Sequence, residues 1–398
     1  LGFFKYYNFF LENFVTAFSF FGSEIGVSSL NIVLPVGISF YTFQTLSYTI
    51  DVYNRRLEPT RDFVAFAAFV SCFPQFVAGP IERATRLLPQ FYQYRVFDYH
   101  KAADGLRQVL CGLFKKIVIA YHCAVLVNVI FNSNADYSGS TYLLGSVFFA
   151  FQIYGDFSGY SDIAIGVSRL FGFDLMRNFA FPYFSRDIAE FWRRWHISLS
   201  TWFRDYLYIP LGGSRVSTSV KVRNTFIIFI VSGFWHGANW TFIIWGALNA
   251  LYFLPLLLTN RNRKNLDIVA KGQLLPSLKD AFNLLMTFGL TVLAWIFFRA
   301  ENVGQAFHIL DNIFSSSLFT VPQVGSIQTS ILVALFVFAE WLGREKQYPI
   351  EYLALEVDPN KQPSVFSISK RILVYAVITY VILVFGSFKE IPFIYFQF

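Results

Sequence analysis

Charge is scarce in this sequence, and that scarcity excludes most soluble classes. Asp, Glu, Lys and Arg make up 14% of its residues, against about a quarter in an ordinary soluble domain. Cysteine is scarce too. Cys72, Cys111 and Cys123 are scattered through apolar runs, and an odd, dispersed trio excludes both a disulfide framework and a cysteine metal set. The signatures of several soluble chemistries are missing. No His-Glu-x-x-His pair suggests a zinc peptidase, no Gly-x-Ser-x-Gly elbow a serine hydrolase, and no glycine-rich phosphate loop a nucleotide-driven pump. Nothing points to nucleic acid or to a bound metal. The opening residues, Leu1-Gly2-Phe3-Phe4-Lys5, have neither the charged n-region nor the cleavage site of a signal peptide. The apolar start without an initiator Met leads to the expectation that one or two further helices precede it.

What the chain does have is apolar bulk. Hydrophobic residues make up 55% of it, with 50 Phe, 22 Tyr and eight Trp, and the mean hydropathy is +0.47. A helix needs about 20 apolar residues to cross the hydrocarbon core. Candidate spans fall at residues 27–50, 63–77, 109–131, 142–165, 226–245, 247–258, 281–298, 331–342 and 372–385, several of them short. Lipid offers backbone amides no partner, so such runs become helices. The alternation of a membrane β-barrel is absent. The fold expected is therefore an all-α polytopic membrane protein, with residues 1–398 as one membrane-embedded domain. Most aromatics read as lipid-facing bulk and interfacial belts. The formal charge of +7 fits anionic lipid or an anionic ligand. The stretches 260–279 and 343–371 read as loops outside the membrane.

Two regions depart from plain spans. Phe73-Pro74-Gln75-Phe76-Val77-Ala78-Gly79-Pro80 breaks a helix, and irregular backbone at membrane depth survives only when packed in protein or lining a wet cavity. Residues 181–215 are aromatic yet carry Arg186, Asp187, Glu190, Arg193, Arg194, Arg204 and Asp205. An interfacial or re-entrant helix suits this better than a span, with Ser185 as N-cap and Asp187 in the first turn.

Of the five histidines, His100 reads as part of a solvated helix start, His122 as a packed core residue, and His308 has no notable neighbours. His236 differs. It lies in Ser232-Gly233-Phe234-Trp235-His236-Gly237-Ala238-Asn239-Trp240, and an ionisable group inside an apolar run is a functional candidate by default. Gly233 and Gly237 invite close helix packing, which accounts for the glycines and not for the imidazole. On one helix, Asn239 shares a face with His236 and is placed to orient its ring or a substrate carbonyl. His196 lies in Trp192-Arg193-Arg194-Trp195-His196-Ile197-Ser198-Leu199-Ser200, where a helix aligns it with Ser200 and Trp192. Arg193 and Arg194 suit phosphate, carboxylate or lipid headgroups equally. As one helix, the stretch from His196 to His236 would run about 60 Å, twice the hydrocarbon thickness. The two must sit on separate elements, and the turn at Leu211-Gly212-Gly213-Ser214 lets them meet. Asp156 and Asp162, inside an apolar run, shape the site, bind a cation or brace a kink; spacing leaves all three open.

Five ordered motifs are familiar together: Leu34–Gln44 (written LPVGISFYTFQ), Phe73–Arg83, Tyr160–Gly166, then Phe191–Ser200 with Arg204–Gly213, and Gly233–Trp240. On them the chain resembles the membrane-bound O-acyltransferase family. The resemblance implies a helical bundle with re-entrant or interfacial helices around a tunnel. It implies transfer of an acyl group, acetyl in the polysaccharide-modifying branch, from a cytoplasmic donor to hydroxyls of an exported polysaccharide, directly or through a periplasmic acetyltransferase partner. The family's near-invariant histidine falls on His236 and its second polar site residue on His196; Asn239, Arg193, Arg194, Trp195 and Trp235 are the implied substrate contacts. No tightly bound cofactor is implied, and the donor would be acetyl-CoA or another acyl thioester. Membrane lipids surround such a chain in a bacterial cytoplasmic membrane. The branch also holds cell-wall and D-alanine-transferring relatives. The rival class is a polysaccharide or lipid-linked-sugar transporter, which predicts paired broken helices, whereas only the segment at 73–80 is broken.

Overall fold

The computed structural model describes residues 1–20, 29–33, 35–133, 135–353 and 365–387. Among these the chain is helical and holds no strand. In order the α-helices are α1 (Tyr7–Phe20), α2 (Ile38–Tyr53), α3 (Phe63–Val70), α4 (Phe73–Phe76), α5 (Ala84–Tyr92), α6 (Tyr99–Leu113), α7 (Tyr121–Phe131), α8 (Gly139–Leu170), α9 (Ile188–Arg194), α10 (Ile197–Phe203), α11 (Thr218–His236), α12 (Trp240–Leu258), α13 (Leu278–Arg299), α14 (Val303–Ile313), α15 (Ile327–Gly343) and α16 (Val365–Phe385). A π-helical turn, Phe114–Ala120, joins α6 to α7 without a break. Four stretches are long and apolar enough to cross a membrane: Tyr99–Phe131, Trp240–Leu258, Leu278–Arg299 and Ile368–Phe385.

Several expected spans change shape. The run at 27–50 contains no helix at Ser29–Val33, and α2 begins only at Ile38; residues 27, 28 and 34 lie outside the described residues. The run at 63–77 ends as a helix at Val70. After the short α4 the backbone extends, and Ala78, Ile81 and Glu82 are buried. The Ile81 amide donates to Ser198 Oγ at 3.0 Å, so protein supplies the partner that lipid lacks. The run at 226–245 is two helices rather than one. α11 stops at His236, Gly237 is extended, and Asn239 caps α12 by accepting from the Thr241 amide at 3.0 Å.

Glycine sets how closely the helices pack. A Cβ on Gly233 would fall 2.2 Å from the Phe242 carbonyl oxygen, and one on Gly246 2.3 Å from that of Phe229. α11 and α12 therefore touch backbone to backbone as expected of Gly233, but the partner is Gly246 and not Gly237, which lies past the helix end against the Phe242 ring. Between α6 and α8 the same holds for Gly105 against Gly166 and Gly112 against Gly159. Where these two helices meet, the π-turn buries Lys115. Its ammonium lies 3.1 Å from Asp162 and 2.9 Å from Glu340 of α15, and the Tyr154 hydroxyl donates to Glu340 at 2.8 Å. Lys116 pairs with Asp156. The acids of α8 thus brace the π-turn with lysine ammoniums as their cations. The acids stand out in the sequence, whereas Lys115, Lys116 and Glu340 acquire their role only through the fold.

Candidate functional site

The stretch expected to be one interfacial helix is two seven-residue helices, α9 and α10, with Trp195 and His196 at the corner between them. Asp187, not Ser185, caps α9: its carboxylate accepts from the Glu190 amide at 2.7 Å, while Ser185 Oγ donates to the Pro182 carbonyl. His196 is the N-cap of α10 with φ +43°, a left-handed conformation that an ordinary side chain adopts only when its surroundings hold it there. It therefore does not share a helical face with Trp192, contrary to the alignment expected. The corner aims the imidazole into the protein.

Asn178 orients that imidazole. Its Oδ1 lies 3.0 Å from His196 Nδ1 and accepts from Ser198 Oγ at 2.9 Å, while its Nδ2 donates to Ser161 Oγ at 3.2 Å. The Asn178 carbonyl also accepts from the Ile197 amide at 2.9 Å. Ser198 Oγ receives the Ile81 amide, so its proton points to Asn178, which makes Oδ1 an acceptor. His196 Nδ1 then carries the proton, and Nε2 is left as the basic nitrogen. Nε2 is buried and has no hydrogen-bond partner among the described residues. In this tautomer His196 accepts at Nε2 rather than donating there. Asn178 went unnoticed in the sequence; the signal was a lone amide in Arg177-Asn178-Phe179-Ala180-Phe181.

His236 closes the last turn of α11. Its ring packs against Trp235, Trp245 and Phe298 at centroid distances of 4.8, 5.2 and 5.2 Å. The His196 ring lies 6.3 Å from the same Trp235 indole. The two histidines thus meet at one buried place, with Trp235 touching both. Lys5 approaches from the start of the chain: its Nζ donates to the carbonyls of Trp235 and His236 at 3.0 and 2.6 Å. A cation satisfying the last carbonyls of a helix is favourable on both hydrogen-bonding and dipole grounds. Sequence reasoning gave no role to Lys5.

The remaining candidates serve other ends. Asn239 is a helix cap whose Nδ2 donates to the Glu301 carbonyl at 2.9 Å; the helix break removes it from the face of His236. Trp195 is buried among Phe179, Phe191 and Trp295. Arg193 donates to the carbonyls of Asn262 and Asn265, and Arg194 pairs with Glu190 at 2.8 Å. Both arginines border a cavity of about 540 Å³. On the other side of α9, Trp192, Ser200 and Ser232 line an apolar cavity of about 210 Å³. Among the other histidines, His122 bonds the Phe385 carbonyl but is half-buried rather than in the core. His100 follows the capping Asp98, whereas His308, expected to lack neighbours, lies 2.9 Å from Asp136.

Long apolar helices around a buried histidine pair define an integral membrane protein with a polar site enclosed in its helical core. A family model for membrane-bound O-acyltransferases matches residues 56–297, a segment that holds both histidines. The chain belongs to that family. It is 40% identical over 353 residues to a Pseudomonas aeruginosa protein described as "Probable alginate O-acetylase AlgI", covering 87% of this chain and 65% of that one. It is 38% identical over 336 residues to the peptidoglycan O-acetyltransferase of Helicobacter pylori, covering 78% and 61%. Against the teichoic acid D-alanyltransferase of Bacillus subtilis it is 28% identical over 236 residues, covering 56% and 58%. The chain thus spans 65% of the length of the Pseudomonas aeruginosa relative.

Proposed function

We propose that the protein is a membrane O-acetyltransferase that moves acetyl groups from a cytoplasmic thioester donor toward the hydroxyls of an exported, alginate-like polysaccharide, directly or through a partner protein, in a bacterial cytoplasmic membrane. The observation that carries this reading is the meeting of His196 and His236 at Trp235 inside the family-matched segment. The names of the relatives at 40% and 38% identity favour acetyl over D-alanyl as the group transferred.

The chemistry follows from the two rings. A hydroxyl attacks the thioester carbonyl, forming the ester C–O bond. The C–S bond breaks, and the hydroxyl proton passes through an imidazole to the departing thiolate. We assign that proton transfer to His236 and give His196, its Nε2 unpartnered among the described residues, an orienting task beside it. General-base help of this kind is typically worth about 10²–10⁴-fold. Water is kept from the thioester by the aromatic packing around both rings.

The test is purified full-chain protein with a labelled acetyl donor and acceptor. His236→Ala, present at normal levels in the membrane, is expected to lose at least about a hundredfold in transfer rate, and His196→Ala to lose less. Transfer by H236A at near the wild-type rate would show that His236 is structural. A deeper loss in H196A than in H236A would exchange the two roles.

A further inference from the structure

The larger cavity, about 540 Å³, has the size of a small-ligand site and an unusual lining. Arg177, Arg193, Arg194, Arg344 and Lys346 face it, against three carboxylates. Those carboxylates are already engaged. Glu190 pairs with Arg186 and Arg194, Glu345 lies 3.9 Å from Arg344 and accepts the Gly272 amide, and Glu351 accepts the Gln347 amide. Arg177, Arg193 and Lys346 have no carboxylate within ion-pair distance among the described residues. The two arginines bond only backbone carbonyls: Arg177 reaches Phe179, Lys346 and Gln347, and Arg193 reaches Asn262 and Asn265. Carbonyls fix where a guanidinium points without cancelling its charge. Each arginine keeps N–H groups unused in these bonds, and the Lys346 side chain is exposed at the rim. A preoriented guanidinium with free donors suits a tetrahedral oxyanion.

We propose that this cavity binds a phosphate-bearing ligand, held by Arg177, Arg193 and Lys346. Three cations around one pocket match a ligand carrying at least two negative charges, such as a diphosphate, better than a single carboxylate. α9 forms one wall through Glu190, Arg193 and Arg194, so the bound phosphate lies against the helix that leads into the Trp195–His196 corner. Two sources share this chemistry: a soluble phosphorylated molecule, and the headgroup of an anionic phospholipid.

The experiment uses the full chain in nanodiscs and reads binding alone, so it stands or falls separately from acetyl transfer. In nanodiscs of phosphatidylcholine only, calorimetry with pyrophosphate and with coenzyme A is expected to give one site per chain. Arg193→Gln and Lys346→Gln are each expected to weaken it about tenfold or more. Both side chains are exposed, and that of Lys346 makes no hydrogen bond among the described residues, so K346Q keeps the test meaningful if R193Q melts early. In the second arm the protein is purified from membranes containing phosphatidylglycerol, and native mass spectrometry counts retained lipid. Retention lost in the R193Q/K346Q double variant, with no uptake of the soluble probes, assigns the phosphate to a lipid. Absence of binding in both arms, or binding unchanged in the double variant, overturns the proposal.

Discussion

At the scale of single residues, the site depends on a side chain that cannot itself do chemistry. Asn178 fixes which nitrogen of His196 is basic and holds the ring at a strained corner of the backbone. Asn178→Ala is expected to lower the transfer rate about tenfold, the equivalent of one lost hydrogen bond. The loss should fall on kcat with KM little changed, since the substituted residue touches the imidazole and not the acceptor. Asn178→Asp, which keeps the accepting oxygen, should recover part of the rate. An N178A protein with unaltered kcat would remove Asn178 from the site. His236 was legible from sequence because an imidazole in an apolar run is conspicuous. Asn178 was not, because its importance comes from Ser198 and His196, some twenty positions away, folding back onto it.

At the scale of elements, helix ends rather than helix faces position the candidate residues. His196 begins α10, His236 ends α11, and Asn239 begins α12. The sequence reading placed these residues by the i, i+4 rule, which holds only while a helix continues. The expected runs at 281–298 and 372–385 fall within long apolar helices, Leu278–Arg299 and Ile368–Phe385, and residues 181–211 hold only short helices. The break at Gly237 has its own local signal, a C-cap glycine followed by the N-cap Asn239, whereas the break at Trp195 is set by tertiary contacts that leave none. α11 and α12 form an antiparallel hairpin, so the start of α11 lies beside the loop that follows α12. That loop is where Arg186 bonds the Asp267 carbonyl. Single cysteines at Arg186 and at Arg215 are therefore expected to react with an impermeant thiol reagent from the same side of the membrane. Labelling from opposite sides would mean that the segment crosses after all.

At the scale of the whole molecule, the heaviest stake is a buried charge cluster, set off from His196 by the rings of Tyr154, Phe179 and Trp195. Lys115, Asp162 and Glu340 join the π-turn, α8 and α15. Lys115→Met would leave two carboxylates buried without their cation, and breaking such a cluster costs about 3–5 kcal/mol. Thermal unfolding in detergent should show a large drop in Tm for K115M. The triple variant K115M/D162N/E340Q, which carries no charge there, should regain most of it. An unchanged Tm in K115M would show that the cluster contributes little.

The contact of Lys5 with the end of α11 bridges 231 positions of the chain, and this bears on biogenesis. A membrane protein is threaded into the bilayer in order from its first residue. The ammonium of Lys5 enters long before the carbonyls of Trp235 and His236 exist to receive it. Until α11 arrives, that charge must stay near the lipid surface or lean on water. This contact is thus assembled late, from two segments separated by a long interval of synthesis. A chain halted anywhere between these segments carries the Lys5 ammonium without the carbonyls that receive it.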